Sequence, residues 1–302
     1  MNKYLLFRTD RIGDFLLSAI LINSIKKNDI HAHITVIASK KNYNYIKNFK
    51  LVDEVILFKN SFIDRIKLIF ELKKNNYQNI ILHDGKKRSY IISFFLKAKI
   101  KMYVKNSPDL SHIEIIKNIL KKFNFKFQDS YLNILTLRNK NNFKLNNFIQ
   151  LHFDEKWIYN DYIKEFVNIE PLKNELLSFL KSIILKTNKK LVITTGLVAP
   201  KIIDGILLNN KDKDIIYFKN LDFLRLEDII VNSYTLISCH GAVSHIATAK
   251  EIKQIDIIDS SYLHGEHGFY RWTNHFRNYN YVYREKFKDL SKKILKKLEI
   301  YD

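Results

Sequence analysis

The stretch "KYLLFRTDRIGDFLLSAILINSIKK" (residues 3–27) contains the pattern from which the fold can be argued. A short apolar run leads into segment 8–14, which carries two arginines, two aspartates and a glycine, and a long apolar segment follows. A run that is apolar throughout is typical of a strand buried on both faces of a sheet, and a helix after it covers one face. The stretch therefore predicts the first strand and the first helix of a parallel α/β sheet.

The same alternation of short apolar runs and helical patterns continues along the whole chain. Strands separated in this way by helices form parallel sheets that are covered on both faces, as in doubly wound α/β folds. We predict strands over residues 4–8, 33–38, 54–58, 79–83, 100–104, 148–152, 190–195, 214–218, 234–239 and 254–258. We predict helices after the first strand and over residues 62–73, 172–186, 223–232, 241–251 and 285–299.

The chain of 302 residues is long enough for two domains of ordinary size. The polar stretch "RNKNNFKLNN" (residues 138–147) separates two halves that each contain strands and helices, and it is typical of a linker. We therefore predict two Rossmann-like domains, residues 1–145 and 146–302, facing each other across a cleft. The last helix, 285–299, is a candidate for packing back on the N-terminal domain.

The charge is strongly basic, with 51 lysines and arginines against 31 aspartates and glutamates and a formal net charge of +20. Such an excess is typical of proteins that meet nucleic acid, anionic lipid or acidic substrates, and a solvated lysine-rich surface explains it equally well. The basic residues do not form one motif with interleaved aromatic residues, which is evidence against a dedicated nucleic-acid module. We expect only weak, salt-sensitive binding of nucleic acid.

The single cysteine, Cys239, excludes an intramolecular disulfide and is typical of a reducing compartment. The first ten residues have too short an apolar run for a signal peptide, and no run reaches the roughly 20 apolar residues that a bilayer-spanning helix needs. We expect a cytoplasmic protein, either free or resting on a membrane surface.

The charged segment after the first predicted strand is the first candidate site. Ligands of doubly wound folds bind beyond the carboxyl ends of strands, where Asp10, Arg11, Gly13 and Asp14 are predicted to lie. Gly13 would allow a tight turn into the helix. Asp14 is a candidate catalytic carboxylate, but the helix dipole also favours an acidic residue in a first turn, and Asp10 would serve as a helix cap.

Two further candidates lie in the second half. The segment "ISCHGAVSHIATAK" (residues 237–250) places small residues between a strand and a helix, where free backbone N–H groups can bind phosphate. His240 and His245 flank this turn. The segment "IQLHFDEKW" (residues 149–157) places Lys156 just beyond another strand, where its ammonium group can pair with phosphate. An ordinary turn and a solvated lysine are the alternative interpretations.

A metal site and a cysteine nucleophile are less favoured interpretations. Cys239, His240, His245, His264 and His267 include possible ligands, but their spacing does not enforce the tight geometry of a zinc site. The segment "DKD" (residues 212–214) is typical of a solvated turn before a strand. Cys239 closes an apolar strand without an activating partner, which is typical of a small buried residue. We therefore predict no metal ligands.

Taken together and in this order, the three segments resemble glycosyltransferase family 9, the lipopolysaccharide heptosyltransferase family. "RTDRIGDFLLSAILINSIKK" is similar to the opening strand, turn and helix of the family, and "IQLHFDEKW" to its segment ending in lysine and tryptophan. "LISCHGAVSHIATA" resembles its Asp-(Ser/Thr)-Gly-x-x-His-(Leu/Ile)-Ala-Ala segment. "LHDGKKRS" (82–89) and "SHIEIIKNIL" (111–120) also resemble family segments, so the likeness spans residues 3 to about 272.

The resemblance implies the two-domain fold called GT-B and an inverting transfer of a sugar, a heptose or a similar one, to a lipopolysaccharide or other surface-glycan acceptor. The donor is a nucleotide-diphosphate sugar, bound as a substrate, and neither a cofactor nor a metal is expected. It also implies peripheral contact with the inner membrane. Asp14 takes the position of the general base. The donor phosphates would be held by Lys156, His240, Gly241, Ala242 and His245. The acceptor or the cleft would be contacted by Arg11, Gly13, Lys86 and Arg88.

This sequence departs from the family pattern at the third segment. His240 stands where the family has aspartate, Gly241 where it has serine or threonine, and Ala242 where it has glycine. The acidic residue that relatives often carry after "ITTG" is also missing, because the chain continues "LVAPKI". A GT-B scaffold without transferase activity, or a basic protein that binds nucleic acid or a membrane surface, is therefore the alternative function.

Overall fold

The structure is a computed structural model, and it describes residues 1–104, 109–134, 143–158, 167–208, 212–260 and 269–299. The chain divides into two compact units. The first contains Met1–Asn139 together with Tyr270–His275, and the second contains Lys140–Phe269 and Phe276–Asp302. Each unit is built on one parallel β-sheet with helices, so the predicted α/β class is confirmed. Each of the ten predicted strands is confirmed to within one residue at either end.

The first unit has a five-stranded sheet in the order β3-β2-β1-β4-β5, with β1 in the centre. All of its strand pairs are parallel. Its strands are β1 (Lys3–Arg8), β2 (His33–Ala38), β3 (Glu54–Leu57), β4 (Asn79–Leu82) and β5 (Ile100–Tyr103). Its helices are α1 (Ile12–Asn28), α2 (Tyr43–Lys47), α3 (Phe62–Lys73), α4 (Lys87–Phe94) and α5 (His112–Lys122), followed by a 3-10 helix at Asp129–Leu132.

The second unit has a six-stranded parallel sheet in the order β11-β10-β9-β6-β7-β8. Its strands are β6 (Ile149–His152), β7 (Leu191–Thr194), β8 (Ile215–Phe218), β9 (Thr235–Cys239), β10 (Lys253–Ile258) and β11 (Tyr279–Tyr283). Its helices are α6 (Lys173–Thr187), α7 (Lys201–Leu207), α8 (Phe223–Ile230), α9 (Ala242–Ala249) and α11 (Phe287–Leu298), with a 3-10 helix at Glu155–Trp157. Helix α10 (Tyr270–Thr273) lies between them in the chain but belongs to the first unit.

The sequence analysis missed strand β11. Three of its five residues are tyrosines, and the strand lies at the edge of the sheet with only Val282 fully buried. A half-exposed edge strand lacks the continuous aliphatic run by which the central strands were recognised.

The last helix, α11, belongs to the second unit. Its buried residues Phe287, Leu290, Ile294 and Leu298 belong to the core of the second unit, where they pack with α6. The segment that joins the first unit is instead Tyr270–His275. Arg271 donates a hydrogen bond to the Leu110 carbonyl (3.1 Å), and the Trp272 ring lies 4.0 Å from that of His112.

The burial of His112 predicts a loss of stability in acid. Burial, followed by the charges of Arg8 and Arg271, lowers the pKa of His112 to about 3. In the unfolded chain the His112 imidazole binds a proton below about pH 6.5, whereas in the folded chain it stays neutral until the pH is much lower. The free energy of unfolding therefore falls as the pH drops below about 6.5, by about 1.4 kcal/mol per pH unit for this residue. Denaturant titrations at about pH 7 and about pH 4.5 should show a smaller fall for His112→Phe than for the wild type. His31→Phe, at an exposed position, should follow the wild type; an equal fall in all three proteins would contradict this prediction.

Candidate functional site

The first candidate site is a pocket at the carboxyl ends of strands β1 and β4 in the first unit. Its volume is about 590 Å³. Five of its lining side chains are cationic and two are carboxylates, so the pocket is basic overall. It is lined by Thr9, Asp10, Arg11, Asp14, Ser39, Lys40, Lys41, Phe58, Asn60, Lys86 and Arg88. The structure thus brings together Asp14, Arg11, Lys86 and Arg88, four of the predicted residues.

The buried side chain of Arg8 organises this pocket, although the sequence analysis assigned it no role. Its Nε and Nη2 donate hydrogen bonds to the backbone carbonyl of Asp14 (2.8 and 2.6 Å), and Nη1 donates to the carbonyl of His83 (2.7 Å). Arg8 therefore fixes the first turn of α1 against the end of β4. It closes strand β1, so only its contacts distinguish it from an ordinary strand residue.

Asp14 both lines the pocket and takes part in capping helix α1. Its Oδ2 accepts a hydrogen bond from the backbone N–H of Arg11 (3.2 Å), the residue at the N-cap of the helix. No hydrogen bond from another described residue reaches its Oδ1. The carboxylate is half-buried. One oxygen is thus held in place while the other remains available to a ligand in the pocket.

Asp10 and Gly13 have different roles from those that we expected. Asp10 does not cap α1; its carboxylate pairs with Lys86 and with Arg8. Burial raises the pKa of Asp10, against the opposing effect of these two cations. Gly13 lies inside the first turn of α1 rather than in a tight turn before the helix. Among the described residues, Asp14 is therefore the pocket carboxylate that makes no salt bridge.

Thr9 and Asp84 form a second layer of polar contacts that supports the cationic wall. The Thr9 hydroxyl donates a hydrogen bond to Asp84 (2.6 Å) and accepts one from Arg88 (3.0 Å). Lys86 donates to the Thr9 carbonyl (3.0 Å). The sequence analysis missed Asp84, although "LHDGKKRS" was among the segments compared; its position just after a buried strand was the available signal.

The second candidate site lies in the second unit, where Lys156 meets the turn before helix α9. A Cβ placed on Gly241, the N-cap residue of α9, would lie 2.6 Å from Lys156 Nζ. The ammonium group therefore lies directly against the Gly241 backbone. Gly241 N–H donates to the Ser244 hydroxyl (3.2 Å). The structure thus brings Lys156 against the turn that contains His240, Gly241 and Ala242.

Lys156 is not one more solvated lysine. Its side chain is 16% exposed, and Nζ lies 2.7 Å from Oδ2 of Asp154, whose side chain is 5% exposed. Burial opposes the charged form of each group, but the pair outweighs it, so the pKa of Asp154 lies well below its ordinary value and that of Lys156 above. Lys156 is therefore a fixed cation throughout the physiological pH range.

Asp256, which the sequence analysis missed, holds the ring of His240. Nδ1 of His240 lies 2.7 Å from Oδ2 of the fully buried Asp256, whose Oδ1 accepts a hydrogen bond from the Ser244 hydroxyl (2.7 Å). A carboxylate accepts hydrogen bonds, so Nδ1 carries the proton and Nε2 is left for a ligand. Nε2 can accept from a hydroxyl when the ring is neutral, or donate to a phosphate oxygen when it is charged.

His245 and Cys239 belong to the interior beside this site. His245 is 6% exposed, and its ring centroid lies 5.1 Å from that of Phe276. Burial raises the pKa of Cys239 to about 12, so the thiol is protonated and inert, as we expected of a buried cysteine. Arg284, missed by the sequence analysis because it follows an edge strand, donates to the carbonyl of Lys156 (2.9 Å) and holds that segment in place.

Among the residues that the structure describes, no group of three or more histidine, cysteine, aspartate or glutamate side chains could hold a metal ion. His264 and His267 lie outside the described residues. Asp212 accepts a hydrogen bond from the backbone N–H of Asp214 (2.9 Å) just before strand β8, which is the geometry of a turn. Within the described residues, no helix combines the length and the apolar character needed to cross a bilayer.

Comparison with solved structures identifies the fold. E. coli heptosyltransferase WaaC, solved with ADP, matches over 99% of this chain and 100% of its own, with a TM-score of 0.71 and 9% identity. E. coli ADP-heptose lipopolysaccharide heptosyltransferase II matches over 100% of this chain and 98% of its own, with a TM-score of 0.68 and 12% identity. A glycosyl transferase family 9 protein from Veillonella parvula matches over 98% of this chain and 91% of its own, with a TM-score of 0.68 and 11% identity.

No protein-family model and no curated protein matches the chain by sequence. The structural likeness shows that the chain has the GT-B fold of the family 9 heptosyltransferases, as the sequence resemblance implied. One fold supports many activities, so function must be argued from the two candidate sites.

Proposed function

We propose that this protein is an inverting glycosyltransferase that moves a sugar from a nucleotide-diphosphate donor to an acceptor hydroxyl. The observation that carries the proposal is the position of Lys156 Nζ against the Gly241 backbone at the start of helix α9. A buried cation at a helix N-terminus, at the carboxyl end of a parallel sheet, suits a diphosphate group.

The second-unit site would stabilise the leaving group. As the bond between the anomeric carbon and the diphosphate breaks, negative charge develops on the phosphate oxygens. Lys156 and the first N–H groups of α9 would stabilise this charge, since a cation and backbone donors held in place need little rearrangement. Asp154 holds the lysine in place (2.7 Å), and His240 Nε2 adds a further polar contact. These groups supply the stabilisation that a metal ion gives in other transferases.

Asp14 would act as the general base of the reaction. Its free Oδ1 would accept the proton of the acceptor hydroxyl as that oxygen forms the new bond to the anomeric carbon of the sugar. The departing diphosphate takes the electron pair of the broken bond, and attack from the opposite side inverts the anomeric centre. Arg8 positions Asp14 through the backbone, since it binds the Asp14 carbonyl by two hydrogen bonds.

The cationic wall of the first-unit pocket supports an acceptor with negative charge. Arg11, Lys86 and Arg88 line the same pocket as Asp14. On the strength of the fold, we propose a heptose or a similar sugar as the transferred group and a lipopolysaccharide or other surface glycan as the acceptor. The chain would meet this acceptor in the cytoplasm, at the inner membrane surface.

Titration calorimetry with ADP, UDP, GDP, CDP and dTDP tests the proposal most directly. We expect one nucleoside diphosphate to bind with micromolar affinity, and its binding and turnover to persist in excess chelator, because Lys156 replaces the metal. No binding by any of the five would leave the scaffold without transferase activity as the better interpretation. A strict requirement for a divalent metal ion would contradict the role given to Lys156.

A further inference from the structure

The outer surface of helices α3 and α4 is unusually apolar. The four phenylalanines that are exposed among the described residues all lie on these two helices or directly after them. Their exposed fractions are 75% for Phe62, 63% for Phe70, 71% for Phe94 and 50% for Phe95. Solitary exposed apolar residues need no explanation, but a concentration of large ones marks an interaction surface.

The exposed apolar residues follow helical spacing on the side opposite the core. In α3, positions 62, 66 and 70 are apolar and exposed, whereas Leu68 and Leu72 are buried. In α4 and the residue after it, positions 90, 91, 94 and 95 are exposed, whereas Ile92 is buried. We call the exposed set the α3–α4 face; its members are Phe62, Ile63, Ile66, Phe70, Tyr90, Ile91, Phe94 and Phe95.

Both helices present these residues to the same side of the first unit. Leu68 and Leu72 of α3 share one core cluster with Ile92 of α4 and with Leu96 just after it. The sheet order also requires this, because the connections β3 to β4 and β4 to β5 run in the same direction across the sheet. Right-handed crossovers in one direction place their helices on one face. The α3–α4 face is therefore a single surface.

The segment that carries this face is rich in exposed lysines. Residues 59–101 include eight exposed lysines but only three acidic residues. Of these three, Asp84 is buried, so only Asp64 and Glu71 oppose the lysines at the surface. Lys73 Nζ lies 5.9 Å from the ring centroid of Phe70, so cationic and apolar groups are interleaved. The eight lysines are Lys59, Lys67, Lys73, Lys74, Lys87, Lys97, Lys99 and Lys101.

We propose that the α3–α4 face docks on an anionic lipid bilayer, with the phenylalanines entering the headgroup region and the lysines contacting lipid phosphates. Aromatic and aliphatic residues gain from leaving water, and cations gain from an anionic membrane surface. A second copy of this chain fits less well, because it would bring two lysine-rich surfaces together. A nucleic acid would neutralise the lysines but leave the aliphatic residues exposed.

This docking would place the first-unit pocket beside the membrane. Phe58 lines the pocket. The guanidinium carbons of Arg65 of α3 and Arg88 of α4 lie 6.0 and 5.0 Å from the centroid of its ring. A lipid-linked molecule could therefore reach the pocket without leaving the bilayer. The docking proposal itself rests on the α3–α4 face alone and holds whatever reaction the chain catalyses.

Vesicle cosedimentation tests the proposal with the full chain. We expect binding to phosphatidylcholine vesicles that contain about 30% phosphatidylglycerol, and weaker binding to phosphatidylcholine alone. Phe62→Ser combined with Phe94→Ser should weaken binding by about tenfold or more, because apolar insertion is lost. Leu185→Ser combined with Leu197→Ser, at second-unit positions that are 84% and 74% exposed, is the matched control and should bind like the wild type. All four positions are exposed, so melting temperatures should change little.

Two results would overturn the proposal. Equal vesicle binding by the Phe62/Phe94 variant and the wild type would show that the face does not enter the membrane. A wild-type dimer in light scattering that this variant converts to a monomer, without any vesicle binding, would identify the occupant as a second copy. Nucleotide affinity should be the same in all these proteins, which separates failure of docking from failure of the proposed transferase activity.

Discussion

Replacing Asp14 by asparagine is expected to reduce turnover by about 10²- to 10⁴-fold, the usual contribution of a general base. The amide oxygen can still accept the hydrogen bond that Asp14 Oδ2 now receives from Arg11 N–H, so the start of helix α1 is preserved. Only the ability to take a proton from the acceptor is lost. Nucleotide affinity, measured by calorimetry, should stay within about twofold, because the proposed diphosphate site lies in the other unit.

Glu114→Gln is the matched control for this substitution. Glu114 is likewise the third residue of a helix, and its carboxylate accepts a hydrogen bond from the Ser111 backbone N–H (2.7 Å) in a capping box. It therefore shares the capping role of Asp14 without lining the pocket. Turnover should be unaffected by Glu114→Gln. If Asp14→Asn also keeps full turnover, Asp14 is only a cap and the reaction needs another base.

The second large effect is expected at Lys156. Lys156→Met should weaken nucleoside diphosphate binding by about 10- to 100-fold, because a hydrogen bond to a charged group contributes about 1.5–3 kcal/mol. Gly241→Ala should weaken binding in the same direction but less, with all charges intact, since its Cβ would lie 2.6 Å from Nζ and must displace the ammonium group. Calorimetry on both variants measures this directly. Lys181→Met, at an exposed position on α6, should leave affinity unchanged.

Lys156→Met also leaves Asp154 buried without its cation, which costs up to about 3–5 kcal/mol of stability. The double variant Asp154→Asn, Lys156→Met removes both charges, so it should recover stability but not nucleotide binding. Denaturant titration and calorimetry on the same samples separate the two effects. Normal nucleotide affinity in the folded double variant would contradict a role for Lys156 in binding the donor.

The comparison of sequence and structure is most instructive at helix α3. The sequence predicts this helix, since its apolar residues follow helical spacing over 62–73. The same spacing does not say which stripe faces the core. In the structure, Phe62, Ile66 and Phe70 are exposed and Leu68 and Leu72 are buried. Two apolar stripes of similar strength compete, and only packing on the sheet selects one of them.

The sequence alone determined the α/β class, the positions of ten of the eleven described strands and the points where candidate residues leave those strands, since all of these depend on short-range periodicity. It also made Asp14 and Lys156 candidates, because both follow predicted strands, whose carboxyl ends are where ligands bind, and the family resemblance implied a role for each. Only the tertiary structure decided which residues contact these candidates. Arg8 donates to the Asp14 carbonyl, Lys156 Nζ lies against Asp154 and Gly241, and Asp256 holds the His240 ring. Two of these contacts, Lys156 with Gly241 and His240 with Asp256, join different segments of the chain, and all four depend on distances of a few ångströms that residue spacing does not encode.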